Sequence, residues 1–133
     1  QALFGCNVVR TTERPVLKKG GILILFAECK EGSGSVLMEE IMSAFSTPQE
    51  ILDHLATNKV VDDQWAVQFL ATFLRDLKIL LVSKGISQEV AGKLKIKLFS
   101  NAQDALNYAI KLSKPDYRIA LIENPDVLIL NLA

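Results

Sequence analysis

The run over residues 19–35, KGGILILFAECKEGSGS, constrains this chain more than any other stretch. Paired glycines open it and a second glycine pair follows the apolar core. An unbroken apolar run of this length, bounded by turn residues, reads as a strand buried on both faces, here over residues 22–27. Gly32 and Gly34 allow backbone conformations that residues with a Cβ avoid, and helical spacing resumes at once with Val36, Leu37, Glu40 and Ile41. The glycines therefore lie between the carboxyl end of a strand and the start of a helix. Open α/β sheets keep their ligand sites there.

The rest of the chain continues the alternation. After a short helix or extended lead over residues 2–9 and the first strand, a helix is expected over residues 36–45. Thr47-Pro48-Gln49-Glu50 then combines a capping threonine, proline at the first helical position and glutamate at the third, a start signal for a helix that stops at Asn58. Asp62-Asp63 opens the next helix, in which Ala66, Phe69, Leu70, Phe73, Leu74 and Leu77 recur at three and four to form one apolar face. A strand over 79–82, a helix over 88–94 capped by Ser87, and a strand over 96–99 follow. Ser100 and Gln103 form a capping box ahead of Ala105, Leu106, Ala109 and Ile110. A strand over 118–122, a turn at Asn124-Pro125-Asp126 and a last strand over 127–130 complete the chain. This order predicts one α/β domain over 1–133, a mostly parallel sheet flanked by helices on both faces with a C-terminal hairpin strand at the edge.

Composition narrows the classes of partner. Half of the 133 residues are hydrophobic, and a mean hydropathy of +0.25 leaves room for a face that packs on something else. Fifteen basic residues balance fifteen acidic ones, so no overall field draws in nucleic acid or a membrane surface. Lys93, Lys95 and Lys97 alternate with Leu94, Ile96 and Leu98, which reads as the wet side of a strand. Cys6 and Cys29 are too few for a disulfide framework and fit a reducing compartment. The longest apolar run falls short of a membrane span and no secretion signal opens the chain, so a cytoplasmic location is expected. Gln1 stands where an initiator methionine would, which suggests a fragment.

Several residues admit a chemical reading beside a plainer one. Gly32, Ser33 and Gly34 can cradle an anion on successive backbone N–H groups, or form an ordinary strand-to-helix turn. The GK[ST] ending of a phosphate loop is missing, and Leu37 stands where a dinucleotide fingerprint needs its third glycine. Asp62-Asp63-Gln64-Trp65 places two carboxylates and the sole tryptophan at a helix start. They serve either helix-dipole complementarity and indole packing, or a helix start facing a small anion. Cys29 lies where a nucleophile would sit, but its only histidine partner in the chain, His54, falls inside a helix; packing at the core edge is the plainer role. His54 alone makes no metal site. Glu39, Glu40, Asp53 and Asp104 read as solvated surface.

The order GGxxxxxAEC, a glycine loop, Asp-Gln-Trp opening an amphipathic helix, a strand ending in Val82-Ser83, a Ser-x-x-x-Ala-Leu-x-x-Ala helix and a closing Pro125-Asp126 strand resembles the C-terminal domain of the nickel-dependent lactate racemase family. The likeness covers nearly the whole chain. It implies a two-domain protein holding its substrate and a nickel-pincer nucleotide between the lobes, with hydride passing to and from the hydroxyl-bearing carbon of a 2-hydroxy acid. The lysine anchor, the nickel-binding histidine and the paired catalytic histidines belong, by that resemblance, to an N-terminal domain. This chain alone would then be inactive and bind no cofactor by itself. Gln1-Ala2-Leu3-Phe4-Gly5 resembles the family stretch Tyr-Gln-Ala-x-Lys-Gly, which puts Gln1 near the substrate and Phe4 in place of the lysine. Trp65 matches the family tryptophan that lines the site. Ser33 and Ser35 depart from a loop that in the family often reads Asp-Gly-His-Gly-Gly.

The leading expectation is the substrate-cleft domain of a 2-hydroxy acid racemase or epimerase, partnered by the N-terminal domain of the same polypeptide. The alternatives are a non-catalytic binding domain that keeps the fold, and a free-standing phosphate or nucleotide binder using Gly32 and Gly34.

Overall fold

A computed structural model of the chain describes residues 16–123. Among these residues three strands, β1 (Ile22–Phe26), β2 (Lys78–Val82) and β3 (Lys97–Phe99), alternate with five helices. The helices α1 (Val36–Ala44), α2 (Pro48–Thr57) and α3 (Gln64–Asp76) lie between β1 and β2, α4 (Gln88–Lys93) between β2 and β3, and α5 (Ala102–Leu112) after β3. The strands form one parallel sheet in the order β1-β2-β3. Parallel neighbours cannot be joined by a tight turn, so each crossover carries helix.

Register sorts the side chains between two faces. Leu23 aligns with Ile79, Leu25 with Leu81, and Leu81 with Leu98. The two-residue period puts these on one face, where they pack with Met38 and Met42 of α1, Ile51 of α2, Val67 and Leu70 of α3, and Leu94 after α4. The opposite parity carries Ile24, Leu80, Lys97 and Phe99. That face meets α5, whose Tyr108 ring lies 5.5 Å from the Phe99 ring and 4.5 Å from Lys97 Nζ. The domain is therefore α/β with helices on both faces of a parallel sheet.

Some expected details change. β1 is an edge strand rather than one buried on both faces: among the described residues it pairs with β2 alone, and Phe26 is 61% exposed. The buried strand is β2, whose Ile79, Leu80 and Leu81 are nearly inaccessible. The three lysines do not share a strand face. Lys93 ends α4, Lys95 takes a φ of 59° and donates to the Phe45 carbonyl at 2.6 Å, and only Lys97 lies in β3. Residues 118–122 form no strand, and Ile119 and Leu121 are 65% and 83% exposed. An apolar run makes a strand only when a ladder partner completes its hydrogen bonds, and no described strand pairs with it. The lead over 2–9, the Asn124-Pro125-Asp126 turn and the 127–130 strand lie outside the described residues.

Local signals set the helix starts. Thr47 Oγ1 accepts from the Glu50 amide at 3.2 Å while the Glu50 carboxylate accepts from the Thr47 amide at 3.2 Å, closing the capping box. Thr47→Ala is expected to cost about 1 kcal/mol, read as a lower urea midpoint with an unchanged slope. At α5 the cap is Asn101, which accepts from the Asp104 amide at 2.9 Å, and not Ser100. Gln103, expected to close the box, instead donates to Asn107 at 2.9 Å.

Candidate functional site at the carboxyl edge of the sheet

The parallel strands bring their carboxyl ends, Phe26, Val82 and Phe99, to one edge. The start of α3 arrives there as well. α3 ends at Asp76, two residues before β2 begins, so it must run back along the strand. Thirteen helical residues rise about 20 Å, matching the roughly 17 Å of a five-residue strand such as β2. Trp65, in the first turn, is thereby carried to the rim, where it is 57% exposed.

The loop after β1 is held from three sides. Toward β2, Ser83 Oγ donates to the Glu28 carbonyl at 3.0 Å and accepts from the Gly85 amide at 3.2 Å. Gly85 sits so close that an added Cβ would lie 2.2 Å from the Glu28 oxygen and 2.4 Å from the Cys29 oxygen. Toward α4, Ser33 Oγ donates to the Glu39 carboxylate, which lies 3.6 Å from Lys93 Nζ. Glu39 is only 15% exposed, so it is a network member and not the solvated residue its sequence context suggested. Lys93 also pairs with Glu89 at 3.1 Å. The hydrogen bond and charge of Glu89, with a smaller contribution from Glu39, hold Lys93 above the usual lysine value of 10.5. Toward α3, Ser35 Oγ donates to Asp63 Oδ2 at 2.7 Å.

Between the loop and the start of α4 lies an open depression of about 360 Å³, lined by Gly32, Ser33, Gly34, Glu31 and Glu39 on one side and Gly85 on the other. Gly32 and Gly34 have φ of 65° and 80°, the left-handed conformation for which glycine is suited. The three loop residues singled out in the sequence thus line one concavity, but two carboxylates share it and the Ser33 hydroxyl is engaged by Glu39. Cys29, with φ of 51°, is half-buried against the core. His54 is turned to structural use, its ring 4.8 Å from that of Phe45 and its Nδ1 3.1 Å from Asn58. Gln1 and Phe4 lie outside the described residues.

Sequence reading missed two features. One is Asp76, 7% exposed and paired with Lys19 at 3.4 Å and Arg75 at 3.3 Å at the opposite edge of the sheet. The other is the Ser35–Asp63 contact, which joins residues 28 apart; the only sequence signal was that both are good helix caps.

A parallel α/β sheet with its glycine loop and an exposed tryptophan gathered at the carboxyl edge defines the class, a domain that presents loops to a ligand or to a second lobe. The chain belongs to the lactate racemase C-terminal domain family, whose model matches residues 1–129. It is similar to the lactate racemase of Thermoanaerobacterium thermosaccharolyticum, 24% identical over 115 residues that make up 84% of this chain and 27% of that protein. The lactate racemase of Lactiplantibacillus plantarum is 24% identical over 112 residues, 82% of this chain and 26% of the relative. A solved structure of the lactate racemase apoprotein from T. thermosaccharolyticum shares the fold, with a TM-score of 0.81 at 22% identity, covering 97% of this chain and 30% of that one. The chain spans about a quarter of the length of these curated relatives.

Among the described residues no group of three or more histidine, cysteine, aspartate or glutamate side chains is placed to hold a metal ion. No helix among the described residues is long and apolar enough to cross a membrane.

Proposed function

We propose that this chain is the substrate-facing wall of a racemase or epimerase acting on a small 2-hydroxy acid, with Trp65 and Gln1 toward the substrate. The observation that carries this reading is Trp65. A large aromatic side chain, 57% exposed, sits at the carboxyl rim beside an immobilised loop instead of in a core that has room for Phe73 and Leu70. The longer relatives named lactate racemase support the reading, and an N-terminal domain of the same polypeptide would carry the nickel-pincer nucleotide and the acid/base groups. On this reading the chain alone is inactive and the protein cytoplasmic. The loop at Gly32, Ser33 and Gly34 serves as a fixed wall, because an anion entering the depression would meet Glu31 and Glu39.

In the full-length, cofactor-loaded protein, Trp65→Ala is expected to lower kcat/KM for its 2-hydroxy acid at least tenfold, equivalent to about 1.4 kcal/mol, with most of the change in KM. Loss of optical activity measures it, and an unchanged kcat/KM overturns the assignment. Phe4 favours a second reading, a binding domain without the chemistry, since phenylalanine cannot pair with a carboxylate as a lysine does. Failure of the full-length protein to racemise any of a panel of hydroxy acids, before and after Phe4→Lys, selects that reading.

A further inference from the structure

We infer that the outer edge of β1 is the docking site of residues 118–122 of this same chain, which add to the sheet there as a fourth parallel strand. The inference is independent of the substrate-wall reading. Pairing leaves one row of backbone groups on β1 open. The Gly21 carbonyl accepts from the Lys78 amide at 3.0 Å and the Ala27 amide donates to the Val82 carbonyl at 3.2 Å. Residues of that parity turn to β2, so the amides and carbonyls of Ile22, Ile24 and Phe26 point the other way, where no described strand lies. An apolar edge with neither proline nor charge is a template for another strand, and native folds cover it. Residues 118–122 match it: they equal β1 in length, belong to no helix or strand and have no ladder partner among the described residues.

The handedness of the connection names that edge. Helices α1 to α4 pack on one face as the chain steps from β1 to β2 to β3, whereas α5 lies on the other. Crossovers between parallel strands are right-handed. A helix on the opposite face therefore carries the chain back toward β1, and with β1 and β2 already in place the first vacant position is the outer edge of β1. Contacts of α5 with all three strands fit a helix laid across the sheet in that direction. Beyond α5 the Tyr117 amide donates to the Lys114 carbonyl at 3.2 Å, a turn that reverses the chain. The connection over 113–117 has an ordinary length for a helix-to-strand loop.

The side chains agree with this placement. Ile122 packs against the same core cluster as Leu23 and Leu25, so the far end of the segment is anchored on that face. Alternation then puts Ile119 and Leu121, 65% and 83% exposed, on the α5 face, in line with Ile22, Ile24 and the exposed Phe26. Docking covers exposed apolar groups on both partners. It also makes β1 the strand at which the strand order reverses, so the glycine loop at its carboxyl end lies where open α/β sheets hold their ligands.

Amide exchange reads the ladder directly. In the full-length protein, with deuterium uptake resolved to single amides, Ile24 and Phe26 are expected to exchange at least about 100-fold more slowly than unprotected amides. In a parallel ladder a residue bonds to the two neighbours of its aligned partner, so Arg118, Ala120 and Ile122 turn their amides to β1. Ala120→Pro removes the central one and should speed exchange at Ile24 and Phe26 at least about tenfold, while protection at Leu81 shows the sheet intact. Ala120→Val keeps the N–H and favours a strand, and should retain wild-type protection. Leu121→Ser, which leaves the described core untouched, should raise exchange at both amides several-fold through lost packing. Unprotected Ile24 and Phe26 amides in the wild type, or no change in Leu121→Ser, would overturn the inference. So would protection that survives Ala120→Pro, since another segment then covers the edge, and protection that falls on dilution, since a second copy then does.

Discussion

Gly85→Ala is expected to lower the thermal midpoint of the chain by about 10 °C. The new Cβ would fall 2.2 Å from the Glu28 oxygen, 2.4 Å from the Cys29 oxygen and 2.6 Å from the Cys29 carbonyl carbon. These are backbone atoms of a loop pinned by Ser83 and by the network of Ser33, so the clash cannot be relieved by turning a flexible side chain. Overpacking of this kind costs about 3 kcal/mol, and one kcal/mol moves the midpoint of a chain this size by roughly 4 °C. Gly92→Ala is the matched control. Nothing lies within 4 Å of its missing Cβ, and it sits within α4. Exchanging a helical glycine for alanine should stabilise by about 0.5–1 kcal/mol. Circular dichroism melts of the two variants decide the matter: a Gly85→Ala midpoint within two degrees of wild type would show that the two loops are not in close contact.

Leu70→Ala should be the most damaging single truncation among the described core residues. Leu70 is 0% exposed in the middle of α3 and belongs to the cluster formed with Met42, Ile51 and Val67, each also fully buried. Truncation removes the transfer free energy and leaves a cavity in tightly packed surroundings, at a cost of about 3–4 kcal/mol. With a urea slope near 1.5 kcal/mol/M, the midpoint falls by about 2 M. Leu112→Ala, 43% exposed at the end of α5, is expected to change it by less than about 0.5 kcal/mol. Equal midpoints for these two variants would contradict the placement of the core.

How much of this was legible beforehand depended on the range of the interaction. The Thr47-Pro48-Gln49-Glu50 signal named the start of α2 correctly because every bond in a capping box lies within four residues. The spacing of Ala66, Leu70 and Phe73 named the buried side of α3 for the same reason. The choice between Ser100 and Asn101 was misread because both side chains accept a hydrogen bond equally well and only the backbone path selects one. Residues 118–122 carried an apolar pattern fit for a strand, but pairing is decided by which neighbour is available. The glycine loop could be placed at a strand end, whereas its carboxylate content in space could not, since Glu39 enters the depression from the first turn of the following helix and Lys93 approaches from α4.

By itself the sequence determined the order of the described elements from β1 to α5, the parallel α/β class, the glycine loop after β1 and the family to which the chain belongs. Periodicity, caps and turn residues act over a few positions and survive as patterns in the chain. Tertiary structure alone decided that, among the described strands, β1 lies at an edge and β2 at the centre, that Asp76 is a buried ion-pair residue, and that Asp63 turns from its own helix to Ser35. Each of those outcomes depends on groups brought together by packing across tens of residues, and the free energy of such contacts exists only once the crossovers have closed.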